Sequence, residues 1–256
     1  MFFDTHTHLD DNRFDADREE VITACRESGV SLAVNVGADM PSSQNSVALA
    51  QSHDFIYAAV GVHPHEVEPL NDADMDTLKR LAKESKVVAI GEIGLDYYYD
   101  NSPRELQKKW FARQLELAKE LGLPYIVHDR DAHGDTMDII RESGYYNGVL
   151  HCFSGSAEMA KKLVKWGMMI SFAGPVTFKN ATKVKEAAMA VPMERLLIET
   201  DSPYLTPEPH RGKRNDSSYV RYVAEEIARL RGLEISEAAR ITKENGMRFF
   251  GIEKQG

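Results

Sequence analysis

The chain has 256 residues, 43% of them apolar and 28% charged, an ordinary globular composition long enough for one large α/β domain. With 40 acidic against 31 basic residues the net charge is −9, which excludes bulk electrostatic binding of nucleic acid, so a polyanion would need a local cationic patch or bound metal. Two cysteines, Cys25 and Cys152, exclude a disulfide framework and a zinc-finger spacing, and neither a basic-then-apolar leader nor an apolar run near ~20 residues is seen, so a cytoplasmic protein without a membrane partner is expected. In chain order, "MFFDTH" reads as the first strand and an amphipathic pattern over 13–28 as a helix. "SLAVNVG" follows, then a helix over 41–53 started by Pro41, then "FIYAAVGVH" and a helix over 74–85. "KVVAIGEIG" precedes a helix over 104–122. There "SPRE" offers Ser102 as N-cap, Pro103 at the first position and Glu105 for a capping box. Leu106, Trp110, Leu117 and Leu121 share a face of that helix, which Gly122 and Pro124 end. "YIVHDR", "GVLHCF", "MMISFAG" and "RLLIETD" alternate with helical patterns at 132–143, 156–166, 179–190 and 217–231, and a last helix at 236–249 is capped by Ser236.

Near-continuous apolar runs are the signature of strands buried on both faces. Eight such runs, each followed by a helix, predict an α/β fold: a (β/α)8 TIM barrel with one additional C-terminal helix, as a single domain over 1–256. The rival, an open doubly wound sheet, lacks its G-x-G-x-x-G after the first strand. One long irregular stretch, "DSPYLTPEPHRGKRNDSS" at 201–218, has the length of a functional loop.

In such a barrel the C-terminal strand ends carry the chemistry. His6 and His8 end the first strand, and His63 and His65 the third. Glu92, His128, His151 and Asp201 end strands four, five, six and eight. With His133 just past strand five, seven of the nine histidines gather there. Any one of them is ordinarily a hydrogen-bonded structural residue. Together, without metal, they would leave buried polar groups unpaired at about 1–3 kcal/mol each, so a metal site is expected.

The motifs "DTHTHLD", "GVHPH", "GEIGLDYY", "VHDRDA", "HCFSGS" and "ETDSPYL" resemble, in order and spacing, those of the TatD-like metal-dependent hydrolases, the TatD DNases of the amidohydrolase-like barrels. The resemblance runs from residue 2 to about 214 and continues weakly to "NGMRFF". It implies two divalent metal ions. His6 and His8 would hold one, closed by Asp201; His128 and His151 would hold the other; Glu92 would bridge them. It further implies hydrolysis of DNA phosphodiester bonds, exonucleolytically, with Asp201 and Glu92 as the catalytic pair. Paired ions can activate a water and stabilise a departing oxygen. The imidazole–carboxylate mixture suits Zn or Mn better than the family's habitual Mg.

DNA would be held locally. His63 and His65 are candidates for a phosphate or the leaving group, or a polar turn. Arg130 is a candidate for phosphate, or for a salt bridge with a neighbouring carboxylate. Arg211, Lys213 and Arg214 in "HRGKR" border the expected site, although a charge run is usually a solvated face. "DYYY" at 96–99 could stack on bases or simply pack. Cys25 and Cys152 read as core. The same metals could serve a different ester or amide, such as D-aminoacyl-tRNA or a small amidohydrolase substrate, or a barrel that binds metal without turnover. A polymerase-and-histidinol-phosphatase-like barrel also begins with His-x-His, but needs more histidines late in the chain.

Overall fold

A computed structural model describes residues 1–252. The strands are β1 (Phe2–Thr7), β2 (Val30–Val36), β3 (Ile56–Val60), β4 (Val87–Asp96), β5 (Tyr125–Arg130), β6 (Gly148–Leu150), β7 (Met169–Phe172) and β8 (Leu196–Ile198). The helices are α1 (Arg18–Glu27), α2 (Met40–Ser52), α3 (Asp72–Leu81), α4 (Arg104–Leu121), α5 (His133–Ser143), α6 (Ala157–Trp166), α7 (Thr182–Ala190), α8 (Val220–Arg231) and α9 (Ile235–Phe249). The sheet runs β1 to β8 in chain order, parallel in every pairing described, with a helix after each strand. That is the (β/α)8 arrangement expected, with α9 as the extra helix. Among the described residues no helix is long and apolar enough to cross a membrane.

The chain divides into two compact units, Met1–Asn35 with the segment from Cys152 onward, and Val36–His151. In the first, β1 pairs with β2 and β7 with β8. The segment after β8 runs parallel to β1: Asp201 N–H donates to the His6 carbonyl (2.9 Å) and His8 N–H to that of Ser202 (2.8 Å). Helix α9 closes on β1, where Gly246 lies against the fully buried Phe3 ring; a Cβ there would stand 2.7 Å from it. Asn245 Nδ2 donates to the carbonyls of Met193 and Leu196, pinning the same helix to the start of β8.

In the second unit β3, β4, β5 and β6 pair in sequence. All ten residues of β4 are buried. Its register sets Gly94 beside His128 and Asp96 beside Arg130. Gly94, at φ +142°, lies so near β5 that a Cβ would meet the His128 carbonyl oxygen at 2.0 Å. Two buried glutamines tie α4 to strand ends. Gln114 takes the Val62 N–H (2.7 Å) and donates to its carbonyl (3.0 Å), while Gln107 accepts from Asp96 N–H (2.9 Å).

The differences from expectation have local causes. Helix α1 begins at Arg18, because Asp11 caps a separate short turn over Asn12–Phe14. Pro103, and not Ser102, stands at the cap of α4; the Ser102 hydroxyl donates to the His65 carbonyl instead (2.9 Å). Glu234 stands at the cap of α9, leaving Ser236 inside the helix. Cys25 is buried core, but Cys152 lies past the end of β6, half-buried and left-handed at φ +42°. Its N–H donates to Glu199 Oε1 (2.6 Å).

Candidate metal centre

Each unit gathers a cluster of imidazoles and carboxylates at the C-terminal ends of its strands. In the first, His6 and His8 turn their Nε2 atoms to within 3.1 Å of each other. Asp201 Oδ1 stands 3.7 Å from His6 Nε2 and 3.5 Å from His8 Nε2. Asp201 reaches them from a left-handed backbone, φ +56°, a conformation that costs a non-glycine residue about 1–3 kcal/mol. Hydrogen bonds on both sides hold it there: its N–H donates to His6, and Tyr204 N–H donates to its carbonyl (2.9 Å). Behind it, fully buried Asp4 accepts from Thr200 N–H (2.9 Å) and Thr200 Oγ1 (2.6 Å). Burial pushes the Asp4 carboxyl up to about 7 even against hydrogen bonds from Ser217 and Thr200. Glu199, two residues before Asp201, is also buried and accepts from Cys152 N–H and from Ser171 Oγ (2.5 Å).

In the second cluster everything turns on Glu92, 3% exposed. Its Oε1 lies 2.7 Å from His151 Nε2, 2.9 Å from His128 Nδ1 and 3.6 Å from His63 Nε2. Below it Asp96 Oδ2 meets His128 Nε2 (3.0 Å) and His65 Nε2 (2.9 Å). Burial opposes charge on Asp96, but hydrogen bonds from His128, the Tyr99 N–H and His65 outweigh it, so its carboxyl sits well below the usual range. The same Glu92 and Asp96 raise His128 against its own burial. His63 goes the other way, driven well below the ordinary imidazole value by burial and by neighbouring His128.

The donor chemistry of both clusters fits a divalent cation. His63, Glu92 and His128 offer one ligand atom each within 4.8 Å of one another. His6, His8 and Asp201 Oδ1 present two imidazole nitrogens and a carboxylate oxygen at mutual distances of 3.1–3.7 Å. Borderline N/O sets of this kind suit Zn or Mn.

Of the six expected ligands, His6, His8 and Asp201 come together in the first cluster, and Glu92, His128 and His151 in the second. His63 and His65, read as substrate contacts, lie within the second cluster. Arg130 makes no ion pair and no side-chain hydrogen bond among the described residues; its guanidinium lies over Tyr98 (4.1 Å) and Tyr99 (4.7 Å). Arg211 stacks on Phe178 (3.8 Å), and Lys213 is exposed. Arg214 grips Asp17 with both terminal nitrogens, at 2.9 and 2.6 Å. Asp96 and Glu199 were not singled out from the sequence. The signal was there, however: Asp96 ends the quoted "GEIGLD" four residues after Glu92, and Glu199 opens "ETD" two before Asp201.

The chain matches the TatD related DNase family over residues 3–251. It is 49% identical to the uncharacterized metal-dependent hydrolase YabD of Bacillus subtilis, covering 98% of this chain and 100% of that one. At 33% identity it resembles the 3'-5' ssDNA/RNA exonuclease TatD of Klebsiella pneumoniae, over 99% of both chains. The crystal structure of YjjV, a TatD homologue from Escherichia coli, superposes with a TM-score of 0.93 at 30% identity, over 98% of both chains. With the family match spanning nearly its whole length, two imidazole–carboxylate clusters at its strand ends and a TIM-barrel relative of that closeness, the chain belongs to the TatD family of metal-dependent hydrolases.

Proposed function

We propose that the protein is a two-metal deoxyribonuclease that removes nucleotides from strand ends. The observation that carries this is that each compact unit holds its own cluster of metal-type donors, His6–His8–Asp201 in one and Glu92–His128–His151 in the other. The family match and the exonuclease name borne by one relative support it. His6, His8 and Asp201 would hold one divalent ion, and His128 and His151 the second, with Glu92 as the shared carboxylate. Bound there, Zn, Mn or Mg would supply Lewis acidity for water and for the departing oxygen of a phosphodiester.

The chain's own residues do the rest. Asp201, with 13% of its side chain open, takes the proton of the attacking water on a carboxylate oxygen and returns it to the leaving oxygen. Asp96 orients His128 and His65 through hydrogen bonds to their Nε2 atoms. In a chain of net charge −9, the phosphate backbone is met by local cations, Arg130, Arg211 and Lys213.

The test strips metal with a chelator, reloads it with each candidate ion, counts ions per chain and assays single-stranded DNA, duplex DNA, RNA and charged tRNA. Two ions per chain and cleavage of DNA, lost in Glu92→Gln, is the expected result. Hydrolysis confined to aminoacyl-tRNA or small esters and amides would move the assignment to those bonds. Tight metal without any turnover would make the barrel a binding protein.

A further inference from the structure

The turn after β4 presents two neighbouring tyrosines to water. Tyr98 is 59% exposed and Tyr99 54%, with their rings 4.9 Å apart and nearly perpendicular. Tyrosines that merely close a strand-to-helix loop bury their rings; these do not. The backbone beneath them is fixed. Both N–H groups donate to Asp96 Oδ1, at 3.0 and 2.9 Å. The other oxygen of that carboxylate holds His65 and His128. One aspartate therefore locks the tyrosine turn in register with the histidine cluster, and Tyr99 itself lies 5.5 Å from the His65 ring.

Arg130 completes the arrangement. It stands opposite Asp96 in the β4–β5 register, and its carbonyl accepts from Tyr97 N–H (2.9 Å). Two residues after His128 on the same strand, it projects to the same side as that imidazole. Its guanidinium lies over both tyrosine rings, and among the described residues its N–H groups have no protein acceptor. A planar cation held by aromatic faces, with its donors unspent, is matched to a phosphate oxygen. Exposed rings beside it are matched to a nucleobase, whose face stacks on an aromatic strongly enough that losing the ring costs about 5- to 150-fold in affinity.

Resting on the deoxyribonuclease reading above, the geometry points to a nucleotide subsite beside the second cluster, formed by Tyr98, Tyr99 and Arg130, that accepts an unpaired nucleotide. Arg130 takes its phosphate and the tyrosines take its base. A base inside a duplex is already stacked on both faces and cannot lie on these rings, so the subsite selects single strands and frayed ends.

The experiment measures binding of metal-loaded protein to labelled phosphorothioate strands, which resist cleavage: a single-stranded oligothymidylate, the same backbone without bases, and a blunt duplex. The double variant Tyr98→Leu with Tyr99→Leu is expected to bind the oligothymidylate about fivefold or more weakly and to lose clearly less on the abasic strand, for which Arg130 remains but not the rings beneath it. Tyr98→Phe with Tyr99→Phe keeps the stacking faces and should bind like wild type. Arg130→Gln should weaken the oligothymidylate and abasic strands alike. Equal binding of oligothymidylate by the leucine variant and wild type would reduce the rings to surface packing and overturn the subsite alone. A wild-type protein that binds none of the three strands would overturn the subsite together with the reading it rests on.

Discussion

On the function proposed above, Asp201 would meet two demands at once, as ligand and as proton carrier, from a left-handed backbone that a non-glycine residue adopts only under constraint. Asp201→Asn keeps the shape and the hydrogen bonds of the main chain but removes the charge and the basic oxygen. Turnover should therefore fall about 10²–10⁴-fold with KM little changed. Steady-state kinetics on a DNA strand decide this, and a raised KM with intact kcat would make Asp201 a binding residue. The residues of the two clusters were legible in the sequence because so many His, Glu and Asp fall at strand ends together, although any one of them alone has other uses. Asp96 and Glu199 were less visible for a physical reason. Their partners are His65, His128, Ser171 and the Cys152 N–H, groups 28 or more residues away whose nearness only the folded chain creates.

At the scale of single elements, apolar period gave every strand and helix, while their first residues followed local features that period does not encode: the Asp11-capped turn before α1, the Ser102 hydroxyl spent on the His65 carbonyl before α4, and Glu234 at the cap of α9. Gly246 shows how an element is placed. In an exposed helix interior, glycine to alanine gains about 1 kcal/mol of helix propensity. In α9 the added methyl would meet the Phe3 ring at 2.7 Å and Thr5 Cγ2 at 3.2 Å, both in the fully packed underside of β1. Overpacking of this kind costs about 1–3 kcal/mol, so the clash outweighs the propensity. Gly246→Ala should lower stability in urea unfolding, whereas stabilisation would mean that α9 rides loosely on β1. The weak "NGMRFF" match thus has a packing cause: Asn245 pins the helix and Gly246 lets it approach.

For the molecule as a whole, a net charge of −9 makes salt a sharp probe. Each lost phosphate contact lowers the slope of log affinity against log salt by about one unit. Neutralising Arg211 and Lys213 together should reduce that slope by about two units for any DNA sequence, because phosphate contacts carry no sequence information. Arg214→Ala should change it little, since that guanidinium is already occupied by Asp17 and by the Arg13 carbonyl (2.6 Å). A slope that falls equally with all three would show that Arg214 exchanges Asp17 for phosphate on binding. The (β/α)8 order was readable from the alternation of apolar runs. What the basic loop does with its charges was not, because composition counts arginines without showing which of them are already paired.

Strand β4 also sets the terms on which this protein can change. Along it, Gly94 tolerates no side chain against His128, Glu92 is enclosed by three imidazoles, and Asp96 is held from both sides. Just beyond it Tyr98 and Tyr99 are exposed and hang from the same aspartate by backbone N–H groups that any residue but proline supplies. Variation at Tyr98 and Tyr99 can therefore alter what is presented beside the second cluster without rebuilding the cluster itself. A library confined to those two positions would inherit a folded, metal-competent scaffold in nearly every member, and new substrate preferences would be separable by selection from loss of the catalyst.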